Sequence, residues 1–304
     1  MEKVRKPIKG WVRVLLIIIP FLLFVGVFTM IGGMLLGLKR TGSHEALTTF
    51  QSLVLELFML AGTFAVVAIF RRWIDRESFK SLGFGMKNFR REAETGFWLG
   101  LAMISAGFLL LVLLREINWT GINPDALSIF LSFILFIAVG FTEELLFRGY
   151  ILNNLMLSMN RWVALLVSSV VFSLAHIGNA HFSVVGFTSI ILAGLLLGLP
   201  YIFTKSLWSP IALHFSWNFF QGTIFGFSVS GNTEYALVTQ TRSADTLLNG
   251  GAFGFEGSIL AVIFLSLAIV ALAIKYSRKE KRLPVVIQPV IQVIEMQTET
   301  TEES

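Results

Sequence analysis

The chain has 304 residues, of which 55% are hydrophobic and only 14% charged, and its mean hydropathy is +0.76. Since soluble domains carry about 25% charged residues, this composition excludes a soluble protein and predicts an all-α, polytopic integral membrane protein. The net charge of +5 is small, and the basic residues flank apolar segments rather than forming a stripe, which argues against a nucleic-acid partner. The absence of cysteine excludes disulfides, cysteine-bound zinc and thiolate nucleophiles.

Eight segments are predicted to be transmembrane helices, because about 20 mostly apolar residues cross a bilayer. In chain order they are Trp11–Leu38, Ala46–Phe70, Gly96–Leu114, Ala126–Ile151, Trp162–Ile177, Val184–Phe203, Leu207–Phe227 and Ser258–Ile274. The first is not expected to be a cleaved signal peptide, since its apolar run is too long and lacks a clear cleavage site.

These helices divide the chain into five parts. Residues 1–125 hold three helices and a basic loop at 71–94, and residues 126–227 hold a core of four helices. An external loop at 228–257 precedes the last helix, at 258–282, which has a basic end. The polar tail at 283–304 is predicted to be disordered. We expect loop 228–257 to be a linker, with a lid as the alternative.

The basic residues predict the orientation of the chain. With eight spans, all but four of the 24 lysines and arginines lie on the side of the two termini; the exceptions are Lys39, Arg40, Arg115 and Arg242. Because cytoplasmic loops are enriched in lysine and arginine, both termini are predicted to be cytoplasmic.

Four spans contain glycines with the GxxxG spacing that permits close helix packing. They are Gly33/Gly37, Gly96/Gly100, Gly194/Gly198 and Gly222/Gly226. We expect these glycines to serve packing within the chain.

Three charged residues lie together in the fourth span, where each costs about 2.5–3.5 kcal/mol to insert. Glu144 and Arg148 have the i,i+4 spacing of an ion pair. Glu143 points about 100° away from Glu144 on a helix and is free to face a cavity. The alternative is a helix end at which all three charges are hydrated.

Two further polar pairs are each separated by one helical turn. Phe172 and His176 lie in the fifth span, and His214 and Asn218 in the seventh. Taken singly, an interfacial histidine or a helix–helix hydrogen bond explains each pair. At 1.5 Å per residue, however, Glu143, His176 and His214 lie about 20, 22 and 12 Å from one membrane face. The three groups can therefore meet inside the bilayer.

No function is predicted for three other ionisable residues. His44 and His181 are assigned to loops. Glu56 in the second span has no explanation beyond facing the same cavity or pairing with an arginine.

The convergent groups suit two kinds of hydrolytic site. A buried glutamate can take a proton from water while histidine or asparagine N–H groups stabilise an oxyanion. Alternatively, His176, His214 and Glu143 could hold zinc or another divalent metal with a position open for water. The sequence contains neither HExxH nor GxSxG. A zincin helix and a serine hydrolase elbow are therefore excluded.

In this order, these residues resemble the three motifs of the CPBP family. Its members are the CAAX-protease and bacteriocin-processing intramembrane peptidases, also called the Abi family and related to the type II CAAX prenyl endopeptidase. The motifs are Glu143-Glu144-x-x-x-Arg148, Phe172-x-x-x-His176 and His214-x-x-x-Asn218. The resemblance covers residues 126–227, which would form the catalytic core.

The resemblance implies an intramembrane endopeptidase whose site opens toward the cytoplasm. Glu143 and His176 would activate water, His214 and Asn218 would stabilise the oxyanion, and the Glu144–Arg148 ion pair would be structural. The family is commonly described as metal-dependent, and a glutamate mechanism without metal has also been proposed. The resemblance does not decide between them. The substrate would be a peptide or protein at the membrane, with or without a lipid modification, and the setting a bacterial plasma membrane.

Two other functions fit the same sequence. One is a non-catalytic membrane scaffold or bacteriocin-immunity factor, although a binding protein has no need for a buried water-activating carboxylate. The other is a proton-coupled transporter, although neither an inverted repeat nor paired broken helices are found.

Overall fold

A computed structural model describes residues 8–38 and 47–281. This part of the chain has eight main helices: α1 Gly10–Leu35, α2 Thr49–Phe70, α3 Phe89–Leu113, α4 Ala126–Glu144, α5 Arg161–Leu174, α6 Val184–Thr204, α7 Trp208–Asn218 and α8 Ile259–Lys281. The predicted all-α, polytopic membrane fold is therefore confirmed. His44 and the tail 283–304 lie outside the described residues.

Within the described residues, six helical segments are long and apolar enough to cross a membrane, which makes this a multi-pass membrane protein. They are Gly10–Leu35, Thr49–Asp75, Phe89–Leu113, Ala126–Leu155, Val184–Thr204 and Ile259–Arg278. Helix α5 has 14 residues and rises about 21 Å, and α7 has 11. Both are shorter than the spans predicted for them, so eight membrane-crossing helices is an approximate count.

Polar residues fix where several helices begin. Thr48 and Gln51 form a reciprocal capping box at the start of α2. Asp125, Asn160 and Ser183 accept backbone N–H groups at the starts of α4, α5 and α6. These side chains satisfy donors that have no partner within a helix.

Three helices continue directly into π-helix, in which each turn is wider than in an α-helix. The π-helical segments are Arg71–Asp75 after α2, Leu145–Leu152 after α4 and Phe219–Ile224 after α7. Two of them begin immediately after the motif residues Glu144 and Asn218. Such wide turns are frequent at functional sites because they redirect side chains.

Glycines allow the closest helix contacts. A Cβ atom on Gly96 in α3 would lie 2.2 Å from the carbonyl oxygen of Ser209 in α7, and one on Gly194 in α6 would lie 2.8 Å from Ser169 Cβ in α5. Both glycines belong to GxxxG pairs and pack within the chain, as expected. A Cβ on Gly33 of α1 would meet no described atom within 4 Å.

One end of the bundle carries the basic helix ends. Arg13 of α1 and Arg71 after α2 both pair with Asp75, at 3.3 and 2.8 Å. Arg161 at the start of α5 pairs with Glu280 near the end of α8, at 2.9 Å. The starts of α1 and α5 and the ends of α2 and α8 therefore share one face, which we call the basic face.

The opposite face carries a small sheet and the loop 228–257. Strand β1 (Asn118–Ile122) pairs antiparallel with β2 (Val238–Thr241), with Asn118 opposite Thr241. The loop, expected to be a linker, is folded onto the helices: it contains β2 and two short 3₁₀ turns, and Phe253 and Phe255 are buried in the main core.

The contact between α3 and α7 can be tested with alanine. Gly96→Ala should destabilise the protein by about 1–3 kcal/mol, because the added methyl group overlaps the backbone of α7. Gly33→Ala is the matched control and should leave stability unchanged or slightly higher, since alanine favours helix. Thermal unfolding in detergent measures both variants. Equal unfolding temperatures would contradict the described packing.

Candidate active site

A cavity of about 470 Å³ lies in the middle of the bundle. Its walls come from every main helix except α3 and from the loop 228–257, and they are mainly apolar. Glu143, His176, His214 and Asn218 all line this cavity. The structure thus brings together the four residues that the sequence predicts as catalytic.

Behind the cavity wall, Glu144 and Arg148 form the expected i,i+4 ion pair. Arg148 Nη1 donates to Glu144 Oε1 at 2.6 Å, and the side chains are 1% and 0% exposed. Arg148 also donates to the carbonyl oxygen of Gly194 at 3.2 Å. Its guanidinium group lies 4.4 Å from the centre of the Phe172 ring. The pair therefore joins α4 to α5 and α6.

The same carboxylate also contacts the second histidine, which sequence reasoning missed. His214 Nδ1 lies 2.8 Å from Glu144 Oε1. The sequence likewise identifies Phe172 only as a motif residue. In the structure its ring lies against Arg148, and its carbonyl group contacts His176. The spacing of residues within one helix does not predict such contacts between helices.

Hydrogen bonds fix the tautomer of both histidines. His176 Nδ1 lies 2.8 Å from the carbonyl oxygen of Phe172. Since a carbonyl oxygen only accepts, Nδ1–H must be the donor. His214 Nδ1–H donates in the same way to the ion-paired carboxylate of Glu144. In each neutral ring, Nε2 therefore keeps its lone pair.

Both Nε2 atoms face one oxygen of Glu143. The distance from Glu143 Oε2 is 3.8 Å to His176 Nε2 and 3.8 Å to His214 Nε2. This oxygen is buried and has no hydrogen-bond partner among the described residues. With both rings neutral, three groups that accept hydrogen bonds surround one small space. A proton donor or a cation between them, or a second proton on one of the rings, would satisfy these acceptors.

The residues fit a metal in chemical type. Metal-bound histidines commonly donate their other N–H to a carboxylate or a backbone carbonyl, as His214 and His176 do. In the described part of the chain, however, no group of three or more His, Asp or Glu side chains is arranged to hold an ion as it stands. The ligand types suit a metal ion, and the three side chains would have to move closer together to bind it.

Glu56 faces the same cavity from α2, one of the two explanations that the sequence left open. Its Oε1 accepts a hydrogen bond of 2.6 Å from Thr142, the residue before Glu143. Glu234 and Glu256 from the loop 228–257 also line the cavity. Nothing in the sequence connected these two loop glutamates with the site.

Glu256 holds the loop 228–257 against the site through hydrogen bonds. Its carboxylate accepts from Trp217 Nε1 at 3.0 Å and from the backbone N–H of Ser230 at 2.7 Å. The carbonyl oxygen of Ser230 in turn accepts from Asn179 at 3.0 Å. The loop therefore connects the turn after His176 to the helix that carries Asn218.

Three lining residues of the cavity are exposed. Leu47 and Asn232 lie at the face opposite the basic face, and Ala175 lies just after α5. The described lining includes no residue from the helix ends that form the basic face.

The buried ion pair provides a sharp test of stability. Glu144→Gln should lower stability by about 3–5 kcal/mol, because Arg148 loses its counter-charge in a buried place. Glu94→Gln breaks an i,i+4 pair of the same kind, with Arg90, that is solvent-exposed, and it should leave stability almost unchanged because water screens exposed charges. Folded yield and thermal unfolding measure both. Equal losses in the two variants would show that Arg148 does not depend on Glu144.

The loop 228–257 should respond to pH through Glu234. Burial raises the pKa of Glu234 from its usual value of 4.5 to about 7, although a hydrogen bond from Ser52 opposes the shift. The folded loop thus favours the protonated form of Glu234. The stability of the folded loop therefore falls as the pH rises from 4.5 to about 7. We expect faster hydrogen exchange in the loop at about pH 8 than at about pH 6, after correction for intrinsic rates. In Glu234→Gln the difference should disappear; a difference that persists would assign it to another group.

The comparisons with known proteins agree with the motifs. A family model described as type II CAAX prenyl endopeptidase Rce1-like matches residues 125–220, about a third of the chain. No curated protein and no solved structure matches. The matched segment contains all three motifs and supports a CAAX-type intramembrane protease at the level of the family. The predicted resemblance is therefore confirmed for residues 125–220.

Proposed function

We propose that the protein is an intramembrane endopeptidase that hydrolyses a peptide bond by water activated between Glu143 and the two histidines. The observation that carries this proposal is the position of Glu143 Oε2, which lies 3.8 Å from both Nε2 atoms. In the part of the chain that the structure describes, this buried oxygen has no hydrogen-bond partner. A water molecule placed between these atoms can donate to two of them. Its oxygen lone pair is then free to attack a carbonyl carbon.

Glu143 and His176 take the role of general base. The neutral His176 ring accepts a hydrogen bond at Nε2 because its Nδ1–H is held by Phe172. As the water oxygen bonds to the carbonyl carbon, its proton passes to Glu143. Glu143 then returns that proton to the leaving amine when the C–N bond breaks.

His214 and Asn218 take the role of oxyanion donors. In this role His214 takes up a second proton, which the neighbouring carboxyl groups of Glu143 and Glu144 would favour. In that form His214 donates from Nε2, while Nδ1–H stays on Glu144. Asn218 lines the same cavity, and its side-chain amide would supply the second donor. Loss of one such donor commonly costs about 10²–10³ in kcat.

A divalent metal is the alternative way to activate the water. His176, His214 and Glu143 would hold zinc or a similar ion, which would act as a Lewis acid and lower the pKa of bound water. The second nitrogen of each histidine is already held as such a site requires.

We further propose a bacterial plasma membrane as the setting, with both termini in the cytoplasm. The basic face supports this orientation, because its arginines and lysines favour the cytoplasmic side. The substrate is a peptide or protein segment that reaches the largely apolar cavity, with or without a lipid modification.

Elemental analysis distinguishes the two ways of activating water. If a metal is held, the purified protein contains about one zinc per chain, and both His176→Ala and His214→Ala lose it. An active parent protein without bound metal would exclude ligation and leave the glutamate mechanism in place. Glu144→Gln is not a suitable control because it disturbs His214; Glu94→Gln should keep the metal content of the parent.

Peptidase activity itself is tested by Glu143→Gln, which preserves the size of the side chain but removes the base. We expect this variant to reach normal yield and to abolish cleavage. Peptides from membranes and medium are compared among cells that contain the parent protein, Glu143→Gln, Glu94→Gln or none. Fragments present with the parent and Glu94→Gln alone identify substrates. The same fragments with Glu143→Gln would remove Glu143 from the base role.

A further inference from the structure

Glu56 on α2 is a buried carboxyl group to which the three motifs assign no task. It is 8% exposed and lies in a segment long and apolar enough to cross the membrane. An ionisable group costs about 2.5–3.5 kcal/mol to insert there and is rare outside functional sites. No lysine or arginine among the described residues lines the cavity, so Glu56 gains no counter-charge from its walls. The family match at residues 125–220 does not reach α2.

One hydrogen bond connects Glu56 to the helix that carries the proposed base. Thr142 Oγ1 donates to Glu56 Oε1 at 2.6 Å, and Thr142 is 4% exposed. Thr142 directly precedes Glu143 near the end of α4, and the chain changes from α-helix to π-helix at Leu145. The bond between α2 and α4 is therefore formed where the helical path changes.

Glu143 lies between two neighbours that are held from different directions. Successive residues on a helix point about 100° apart, so Thr142 and Glu144 project on either side of Glu143. Glu144 is held by its ion pair with Arg148, and Thr142 by Glu56. The two contacts together resist rotation of this turn about the axis of α4.

The position of Glu143 is sensitive to such a rotation. A carboxyl group about 5–6 Å from the axis moves by about 1 Å when the helix turns by about 10°. Glu143 Oε2 lies 3.8 Å from Nε2 of both His176 and His214, and a movement of that size would change this arrangement. A misplacement of about 1 Å in an active site can lower the rate about 10²-fold.

We propose that Glu56 is a positioning residue, which acts through Thr142 to hold Glu143 opposite the two histidines. This inference rests on the proposed peptidase function and adds to it a residue from outside the motifs. The role requires an acceptor for the hydroxyl group of Thr142 and no proton transfer by Glu56. An amide oxygen can take its place, so Glu56→Gln should retain the activity that Glu143→Gln abolishes.

Two substitutions of similar size remove the hydrogen bond from its two ends. Glu56→Leu removes the acceptor and Thr142→Val removes the donor, whereas Glu56→Gln and Thr142→Ser retain both. Thr63→Val is the matched control. Thr63 on α2 is also buried, its hydroxyl group has no hydrogen-bond partner among the described residues, and it does not line the cavity. Glu56→Leu takes a carboxyl group out of the bilayer, so it should fold even if Thr142→Val folds poorly.

Nitrogen-15 NMR of the histidine rings reads the position of Glu143 without a substrate. The chain has only four histidines, and the variants His176→Ala and His214→Ala assign the two signals of interest. In Glu56→Leu and Thr142→Val, we expect the Nε2 signals of His176 and His214 to shift toward their values in Glu143→Gln. They should stay at the parental values in Glu56→Gln, Thr142→Ser and Thr63→Val. Unshifted signals in Glu56→Leu would overturn the inference.

Cleavage is measured on the peptides that the parent protein releases and Glu143→Gln does not. Per folded molecule, kcat of Glu56→Leu should fall about 10²-fold with little change in KM, while Glu56→Gln and Thr63→Val stay near the parent. A role in folding alone would lower the yield and leave kcat intact, which would contradict positioning, as would an equal loss of kcat in Glu56→Gln. If the parent releases no peptide, the peptidase proposal fails, and the NMR signals still decide whether Glu56 positions Glu143.

Discussion

The site depends on the interactions of one buried carboxylate, that of Glu144, with Arg148 and His214. An ionised group at this depth needs an opposite charge and hydrogen bonds to be stable. Among the described residues only one oxygen of Glu144, Oε1, has such partners, and Oε2 is buried without one. Arg148 supplies the charge, at 2.6 Å, and His214 the second donor, at 2.8 Å, on the same oxygen. Since Glu144 accepts from Nδ1 of His214, the ring must present Nε2 to the cavity. One ion pair thus sets both the packing of α4 and the orientation of a residue on α7.

The neighbours of this pair extend the constraint to the other helices. Arg148 reaches the carbonyl oxygen of Gly194 on α6, which lies close because Gly194 packs against Ser169 without a side chain. Phe172 covers the guanidinium group and accepts from His176 through its carbonyl oxygen. Glu143, the adjacent residue, takes no part in this network. Its free oxygen therefore faces the two Nε2 atoms, as a water-activating base requires.

The sequence predicts much of this site and less of its surroundings. Hydropathy identifies the helices, and the i,i+4 spacing identifies the Glu144–Arg148 pair, because both depend on residues near one another in the chain. The contact between Glu144 and His214 depends on how α4 and α7 pack, which spacing does not encode. Hydropathy overestimates the lengths of α5 and α7, because apolar residues continue beyond α5 into a turn and beyond α7 into π-helix. Glu56, Glu234 and Glu256 reach the cavity from segments outside the motifs, so no local pattern marked them.

The loop 228–257 is held beside the motif residues. Glu256 binds this loop to Trp217 and Ser230, next to both Asn218 and the turn after His176.

The central claim is that Glu143 directs water to a peptide bond, and oxygen-18 measures this directly. Membranes that contain the parent protein or Glu143→Gln are incubated in H₂¹⁸O, and the released peptides are analysed by mass spectrometry. Hydrolysis places one oxygen atom from water in each new carboxyl terminus. We expect peptides labelled in this way with the parent protein and not with Glu143→Gln. Identical sets of labelled peptides from the two membranes would contradict the account.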